Sequence, residues 1–583
     1  MTFFVILSLL NHFFYGKRKN TSHFRPFGNY LVKSRSILCN VKDVIQNLEG
    51  LNMKRLKWIC TLVICCCAFL LAEGVEKATA ESKFDEATWK KQIEELKALD
   101  QSDADVQCRI GVLLLQNKSE KSAEHWKEGF ELLKKSADQG NSSALFHLGK
   151  CYHDGKGTGR DDALAYDCWR QVSEDEGAKE FLEATWLVGK CLLEGQGVAK
   201  DVDSAVEWIR EAADGGLADA QFDAGLMYLK GEGQERPNLE LAFQYLEKAA
   251  EKDHLQAQLV LGTLFINDDF GADRTKEGFQ WLLKAATKGN ADAQAFMGIV
   301  YLFGKGVEKD DAKAVEWLEK AVAHEDVEPT SYLHALTAFN LGICLQSGRG
   351  TEKNEKRAFE CYVKAQKMGL VEAYSAVGQC YMHGSGVAKD IKKGFEMFKE
   401  GALLDDAWSQ FHLSQCYYNG RGTEKDEDLE FYWVKCAADH GLPSAVNNLG
   451  DCYEKGRGIE KDYAMALKYY RQAQALEAPI AWCSLGECYE KGLGVEKNYQ
   501  KAVELYNEAI KRDCFEACVT LGRCYENGTG VEKNVAKAVE LYRKAAEEKV
   551  TDAYVALSRC YEQGIGVEKS AEEAQKWRGK LDE

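Results

Sequence analysis

Two histidine–cysteine pairs, His147 with Cys151 and His412 with Cys416, stand four residues apart, a spacing that sets two metal ligands on one helix face. No third or fourth ligand follows at a zinc-site spacing, so neither pair makes a metal site by itself. Gly-x-Gly recurs along the chain, but a dinucleotide or phosphate cradle needs such glycines between a strand and a helix. His-Glu-x-x-His, Gly-x-Ser-x-Gly and paired-carboxylate constellations are missing. Asp269-Phe270-Gly271 lacks every other kinase element, and Asp268, Asp269 and Asp273 miss the alternating spacing of a calcium loop. The residues therefore predict no catalytic group, no cofactor and no metal.

The elements that hold these residues repeat. Gly348, Gly384, Gly420, Gly456, Gly492, Gly528 and Gly564 each open a Gly-x-Gly loop at a constant interval of 36 residues. A small residue fixes the register of thirteen units: Gly111, Gly149, Gly189, Gly225, Gly262, Gly298, Gly342, Gly378, Ser414, Gly450, Gly486, Gly522 and Ser558. In one of them Ala517, Leu521, Cys524 and Tyr525 share one face of a first helix, A. Gly528 and Gly530 then turn the chain, and Asn534 caps a second helix, B, whose apolar line is Ala538, Leu541, Tyr542 and Ala545. Asp310, Asp390 and Asp462 are the corresponding caps elsewhere. An antiparallel pair with one apolar side cannot bury that side alone, so neighbours must stack. The expected fold is all-α, a right-handed superhelical solenoid of about thirteen antiparallel helix pairs.

The pattern Ala-x-x-x-Leu-Gly-x-Cys-Tyr-x-x-Gly-x-Gly-Val-x-Lys-Asp/Asn, followed by Lys-Ala-x-x-Tyr/Trp-x-x-Ala-Ala, resembles the Sel-one-like repeat (SLR) family of tetratricopeptide-like solenoids. The resemblance covers about four-fifths of the chain, and eleven loops carry Gly-x-Gly at the same place. Asn267 to Gly271 replaces one loop, and Ser414 and Ser558 replace the helix glycine. The resemblance, nearest to exported bacterial members, implies a scaffold that recognises a protein or peptide without chemistry of its own. A few cysteine-rich relatives are linked to β-lactam or cell-wall binding; they place disulfide cysteines near the end of helix B and the start of the next helix A, a pair that this chain does not repeat.

Sixteen cysteines follow residue 80, nine of them at one repeat position: Cys151, Cys191, Cys344, Cys380, Cys416, Cys452, Cys488, Cys524 and Cys560. They read as a core ladder, because stacked helices stand roughly 10 Å apart, beyond the ~7 Å limit for bridging. Cys151 with Cys168 and Cys344 with Cys361 share a separation of 17 that turns helix A onto helix B, and both are disulfide candidates. Four residues after the helix glycine, Leu193, Leu229, Ile266 and Leu302 give way to Glu454, Glu490, Glu526 and Glu562. These eight are partner-binding candidates for a ligand with an apolar and a basic segment. Solvated glutamates and half-buried leucines are the plainer reading. The interval from Gly298 to Gly342 is stretched to 44, and Pro329 inside it suits a first helical position.

Ten Lys/Arg and two Asp/Glu fall in residues 1–57, which leaves the remainder near −25. Such a surface excludes nucleic acid and attracts cationic proteins or peptides. Met53 to Lys57 form a basic head, Trp58 to Ala72 an uncharged run, and Ala78-Thr79-Ala80 a small-x-small site, together a signal peptide over 53–80 or a signal anchor. Residues 1–52 are either sequence upstream of a true start at Met53 or a basic cytoplasmic tail. An N-terminal helix is expected over 81–103 and the solenoid over 104–583. The chain thus reads as a non-enzymatic exported scaffold, periplasmic or secreted, that touches a membrane only through its signal or anchor. The alternatives are a cell-wall or β-lactam-binding factor with weak hydrolase activity and a membrane-tethered assembly adaptor.

Overall fold

A computed structural model describes residues 86–116, 122–233, 236–266, 271–324 and 331–581. The expectations for residues 1–80, for Asn267 to Phe270 and for Pro329 lie outside these. Among the described residues there are 27 helices and no strand, and none of the helices is long and apolar enough to cross a membrane.

One helix pair shows how the consensus works. Glu516–Asn527 ends where Gly528, at φ 76°, lets two successive N–H groups, its own and that of Thr529, reach the Cys524 carbonyl at 2.8 and 2.9 Å. The Asn534 N–H returns to the Tyr525 carbonyl at 2.8 Å, and the Asn534 side chain accepts from Lys537 N at 3.0 Å to start Val535–Glu547. The two helices run antiparallel: Lys537 Nζ meets Tyr525 Oη at 2.8 Å, while mid-helix Gly522 faces mid-helix Tyr542. A Cβ on Gly522 would stand 2.4 Å from the Tyr542 ring. The second loop glycine has a different duty: a Cβ on Gly530 would lie 2.5 Å from the Tyr499 carbonyl, so this glycine seats the loop on the preceding repeat.

The chain divides into two compact units, Met1–Lys309 and Asp310–Glu583. In the first, Glu86–Lys97 packs on the pair Ala104–Leu115 and Ser122–Ala137, with Trp89 Nε1 donating to Leu113 O at 2.7 Å. Four further pairs follow from Ser142 to Thr287, and Ala291–Phe303 ends the series. The second unit begins with Asp311–Val322 and continues through seven pairs, from Tyr332–Ser347 with Glu355–Lys367 to Thr551–Gln563 with Ala571–Gly579. Within each unit each pair packs on the next, the solenoid arrangement that the period predicts. Glutamines stitch some of these junctions: Gln221, Gln258 and Gln294 donate to the carbonyls of Ala213, Ala250 and Ala286 at the end of the preceding helix B, at 3.0, 2.9 and 3.2 Å.

The stretched interval before Gly342 appears as a longer helix A, Tyr332–Ser347, of 16 residues against 13 in Pro479–Lys491. Its N-cap is Ser331 and its first helical residue Tyr332, so the first helical position falls after Pro329.

Candidate partner-binding surface

The line four residues past the helix glycine lies at the contact between helices A and B. Leu229 and Leu302 are buried, Leu193 and Ile266 half-buried. Glu454, Glu490 and Glu562 are half-buried and Glu526 is 9% exposed. Each glutamate has a partner on helix B of its own pair. Tyr470 Oη donates to Glu454 Oε2 at 2.8 Å and Tyr506 Oη to Glu490 Oε2 at 2.6 Å. Glu562 holds Arg578, and Glu526 accepts from Tyr542 at 2.8 Å and from Arg559, of the next helix A, at 2.6 Å. Burial, together with Asp451 and Glu454 beside Tyr470, Glu490 beside Tyr506 and Glu526 beside Tyr542, pushes these phenols far above their ordinary range. Leu229, Leu302 and Glu526 are thus enclosed by repeat packing, and the other five candidates keep part of their surface open.

All nine ladder cysteines are buried. Desolvation raises the thiols of Cys151, Cys416, Cys452 and Cys488 to about 12 and that of Cys191 to about 11, which suits inert core residues. Cys151 and Cys168 share one apolar cluster. Cys344 and Cys361 are likewise buried. His412 stacks on Phe398 at 5.0 Å and meets Gln379 Nε2 through its Nε2 at 2.7 Å, so this ring is held by packing. Among the described residues no group of three or more His, Cys, Asp or Glu could hold a metal ion.

A second set of residues on the A helices was missed. In the first unit Lys150 Nζ lies 4.4 Å from the Phe146 ring centroid and 2.8 Å from Glu183. On the next helix A, Lys190 Nζ lies 4.9 Å from the Trp186 centroid, and Trp186 Nε1 donates to Asp223 Oδ2 at 2.7 Å. His254 stacks on Phe222 at 4.6 Å and reaches Asp219 at 3.2 Å. Desolvation pushes the Asp223 carboxyl up, whereas the His254 hydrogen bond pulls that of Asp219 down. An aromatic–cation–acid ladder thus crosses successive repeats. Its sequence signal is the i, i+4 pairing of Phe146 with Lys150 and of Trp186 with Lys190. In the second unit Trp408 is 47% exposed and stacked on His412.

A different polar contact joins neighbouring repeats through their loops. Arg457, the middle residue of Gly456-Arg457-Gly458, places Nη2 3.0 Å from Oε1 of Glu430 in Glu427–Asp439, with side chains only 14% and 6% exposed. Arg349 makes the corresponding bond to Asp311 at 2.7 Å.

The Sel1 repeat family model matches thirteen segments between residues 127 and 577. A solved structure, c5321 of uropathogenic Escherichia coli, described as a protective antigen displaying an SLR fold, is 26% identical, with a TM-score of 0.62 over 78% of this chain and 93% of that one. Chitin synthase regulator SKT5 of Saccharomyces cerevisiae is 32% identical over 22% of this chain and 18% of its own length. Chitin synthase regulatory factor 3 of Schizosaccharomyces pombe is 29% identical over 25% and 16%. The chain spans less than a fifth of the length of these two regulators. With the repeat matched through most of its length, the chain belongs to the Sel1 repeat family.

Proposed function

We propose that the chain is a non-enzymatic scaffold that binds a protein or peptide along the faces of its A helices. The observation that carries this is a division of labour within the repeat. Consensus residues are consumed in stacking, while Lys150, Trp186, Lys190 and Trp408 differ from repeat to repeat and keep part of their surface open, Trp408 at 47%. The acidic body favours a cationic partner. Two relatives are themselves named as regulators of an enzyme, which agrees with a binding role.

Binding of the full chain to an array of basic and acidic peptides, at low and high salt, tests the reading. Salt-sensitive capture of basic peptides that falls with Trp186→Ala plus Lys190→Ala, or with Trp408→Ala, is the expected result. Equal capture of acidic peptides would remove the charge argument. Turnover of a chromogenic β-lactam that a point substitution abolishes would replace the scaffold by the hydrolase alternative.

The basic head, apolar run and small-x-small site of 53–80 support export of the repeats. Fractionation with N-terminal sequencing separates a cleaved exported form from an anchored one. Recovery of an intact chain in the cytoplasm would refute both.

A further inference from the structure

Most core cysteines meet only apolar neighbours, but thiols converge at the turn that leads from Tyr499–Ile510 into Glu516–Asn527. Cys483 lies on the preceding helix A, Pro479–Lys491, and Cys514 lies in the turn itself. Both belong to one buried cluster, each 4% exposed, and the Cys514 thiol lies close enough to Cys483 to push that thiol up. The position of Cys514 is fixed by its N–H, which bonds the Ala509 carbonyl at 3.0 Å, after Asp513 has adopted a left-handed φ of 61°. Cys483 Sγ lies 3.8 Å from Thr520 Oγ1, and Cys514 Sγ donates to Glu516 Oε2 at 3.5 Å. Cys518 is near, but its side chain is fully buried in the next cluster.

We propose that Cys483 and Cys514 are a dithiol–disulfide pair, oxidised by exchange with a small-molecule disulfide such as oxidised glutathione. The bond would join the first helix of one repeat to the turn that opens the next. Spacing alone does not reveal the pair, because its two members are 31 residues apart on elements brought together only by stacking.

The exchange proceeds in two displacements. Cys514 gives its proton toward the Glu516 carboxylate, and its sulfur attacks one sulfur of the small disulfide. That S–S bond breaks, one thiolate leaves, and a mixed disulfide remains on Cys514. Cys483 then attacks the Cys514 sulfur, and the second small thiolate departs. The two protons given up by the protein end on the two small thiols, so the protein loses two hydrogens and the small disulfide is reduced. Cys514 acts first because it lies in a turn that local opening can reach. The neighbouring Cys514 thiol and burial push the Cys483 thiol up, which keeps it protonated until Cys514 has reacted.

The full chain is equilibrated in graded mixtures of reduced and oxidised glutathione, alkylated under denaturing conditions and digested with trypsin. Fragments 472–491 and 513–523 are expected to be joined, about 2 Da lighter than their sum, in the oxidising mixtures. The link disappears in Cys483→Ser and in Cys514→Ser and persists in Cys488→Ser and Cys518→Ser. Cys483→Ala serves as a second variant if the serine unfolds the repeat. In the oxidised wild type, amide exchange over 479–527 slows and returns to its starting rate on reduction. Alkylation of both cysteines across the whole series, or a link that vanishes with Cys518→Ser, would overturn the proposal.

Discussion

Tyr542 Oη donates a hydrogen bond to Glu526 Oε2 at 2.8 Å, and the same contact, with the same separation of 16 residues, joins Tyr506 to Glu490 and Tyr470 to Glu454. Tyr362 donates to Gln346 at 2.8 Å in the corresponding place. Where helix B offers an apolar residue against the helix-A glycine, as Ile209 does at Gly189 and Leu282 at Gly262, the line carries Leu193 and Ile266. The change from leucine to glutamate along the chain is therefore set by what helix B presents. A phenol buried against a glycine must find an acceptor, and the line supplies one.

Replacing Tyr506 by Phe leaves the Glu490 carboxylate half-buried without its donor. The expected cost is about 1–3 kcal/mol. Repeat arrays do not unfold as a single two-state transition, so local amide exchange over 479–510 is the suitable measurement. Adding Glu490→Leu to Tyr506→Phe makes an apolar contact like that of Leu193 and should recover most of the loss. Unchanged exchange in the single variant would show that the contact contributes nothing.

Gly486→Ala places a methyl group 2.5 Å from the Tyr506 ring. The expected destabilisation is about 1–3 kcal/mol from overpacking. Ser414 shows how the fold accommodates a larger residue: the helix-B residue at the same spacing is Val434, which leaves room for a side chain that bonds its own Phe411 carbonyl at 2.7 Å. Gly486→Ala combined with Tyr506→Val should therefore lose less stability than the two changes summed, in a thermal unfolding series on all three proteins.

The fold was legible in the sequence because each consensus residue acts within its own repeat or on the next one. Gly528 ends a helix, Asn534 starts one, and Gly522 admits Tyr542, all within 26 residues. The candidate surface was less legible. Glu490 and Tyr506 lie on different helices, and only their shared spacing across units would have shown that the glutamates meet helix B. Cys483 and Cys514 were hidden for the same reason, since a contact between helix A and the turn after helix B has no helical period. The Phe146–Lys150 and Trp186–Lys190 pairs were visible as i, i+4 spacings, but the conspicuous leucine-to-glutamate line drew the binding assignment away from them.

Asp406 caps Ala407–Asn419 by accepting from Ser409 N at 2.7 Å, yet it is 7% exposed, and burial raises its carboxyl to about 6. Other caps, such as Asp390 and Asp462, are more open. An unfolded aspartate titrates near about 3.9. Between the two values the folded chain holds a proton that the unfolded chain has lost, so this residue's contribution to stability falls as pH rises through that window. Glu372, the other carboxylate acting on Asp406, raises it further. Asp406→Asn keeps a good cap and should stabilise the second unit at pH 7 by about 1–3 kcal/mol. The gain should vanish near pH 4. Equal melting of variant and wild type at both pH values would contradict the burial argument.

Arg457 and Glu430 form an enclosed ion pair, with side chains 14% and 6% exposed, and the loop arginine reaches the preceding repeat through it. Arg457 Nε adds a second bond to Glu430 Oε1 at 3.1 Å, and Cys452 Sγ donates to the same oxygen at 3.6 Å. Removal of the guanidinium leaves a carboxylate buried beside a raised thiol, with no cation to offset its desolvation. Arg457→Met should therefore cost about 3–5 kcal/mol, and removal of both charges by Arg457→Met with Glu430→Leu should cost much less. The Arg457 guanidinium also lies 4.8 Å from the ring centroid of Tyr418, which is 48% exposed, so the single variant frees that ring as well. Tyrosine fluorescence and amide exchange of Glu427–Asp439 and Pro443–Lys455 report the two consequences separately. A double variant as unstable as Arg457→Met would mean that packing of the arginine stem, and not the charge pair, holds the two repeats together.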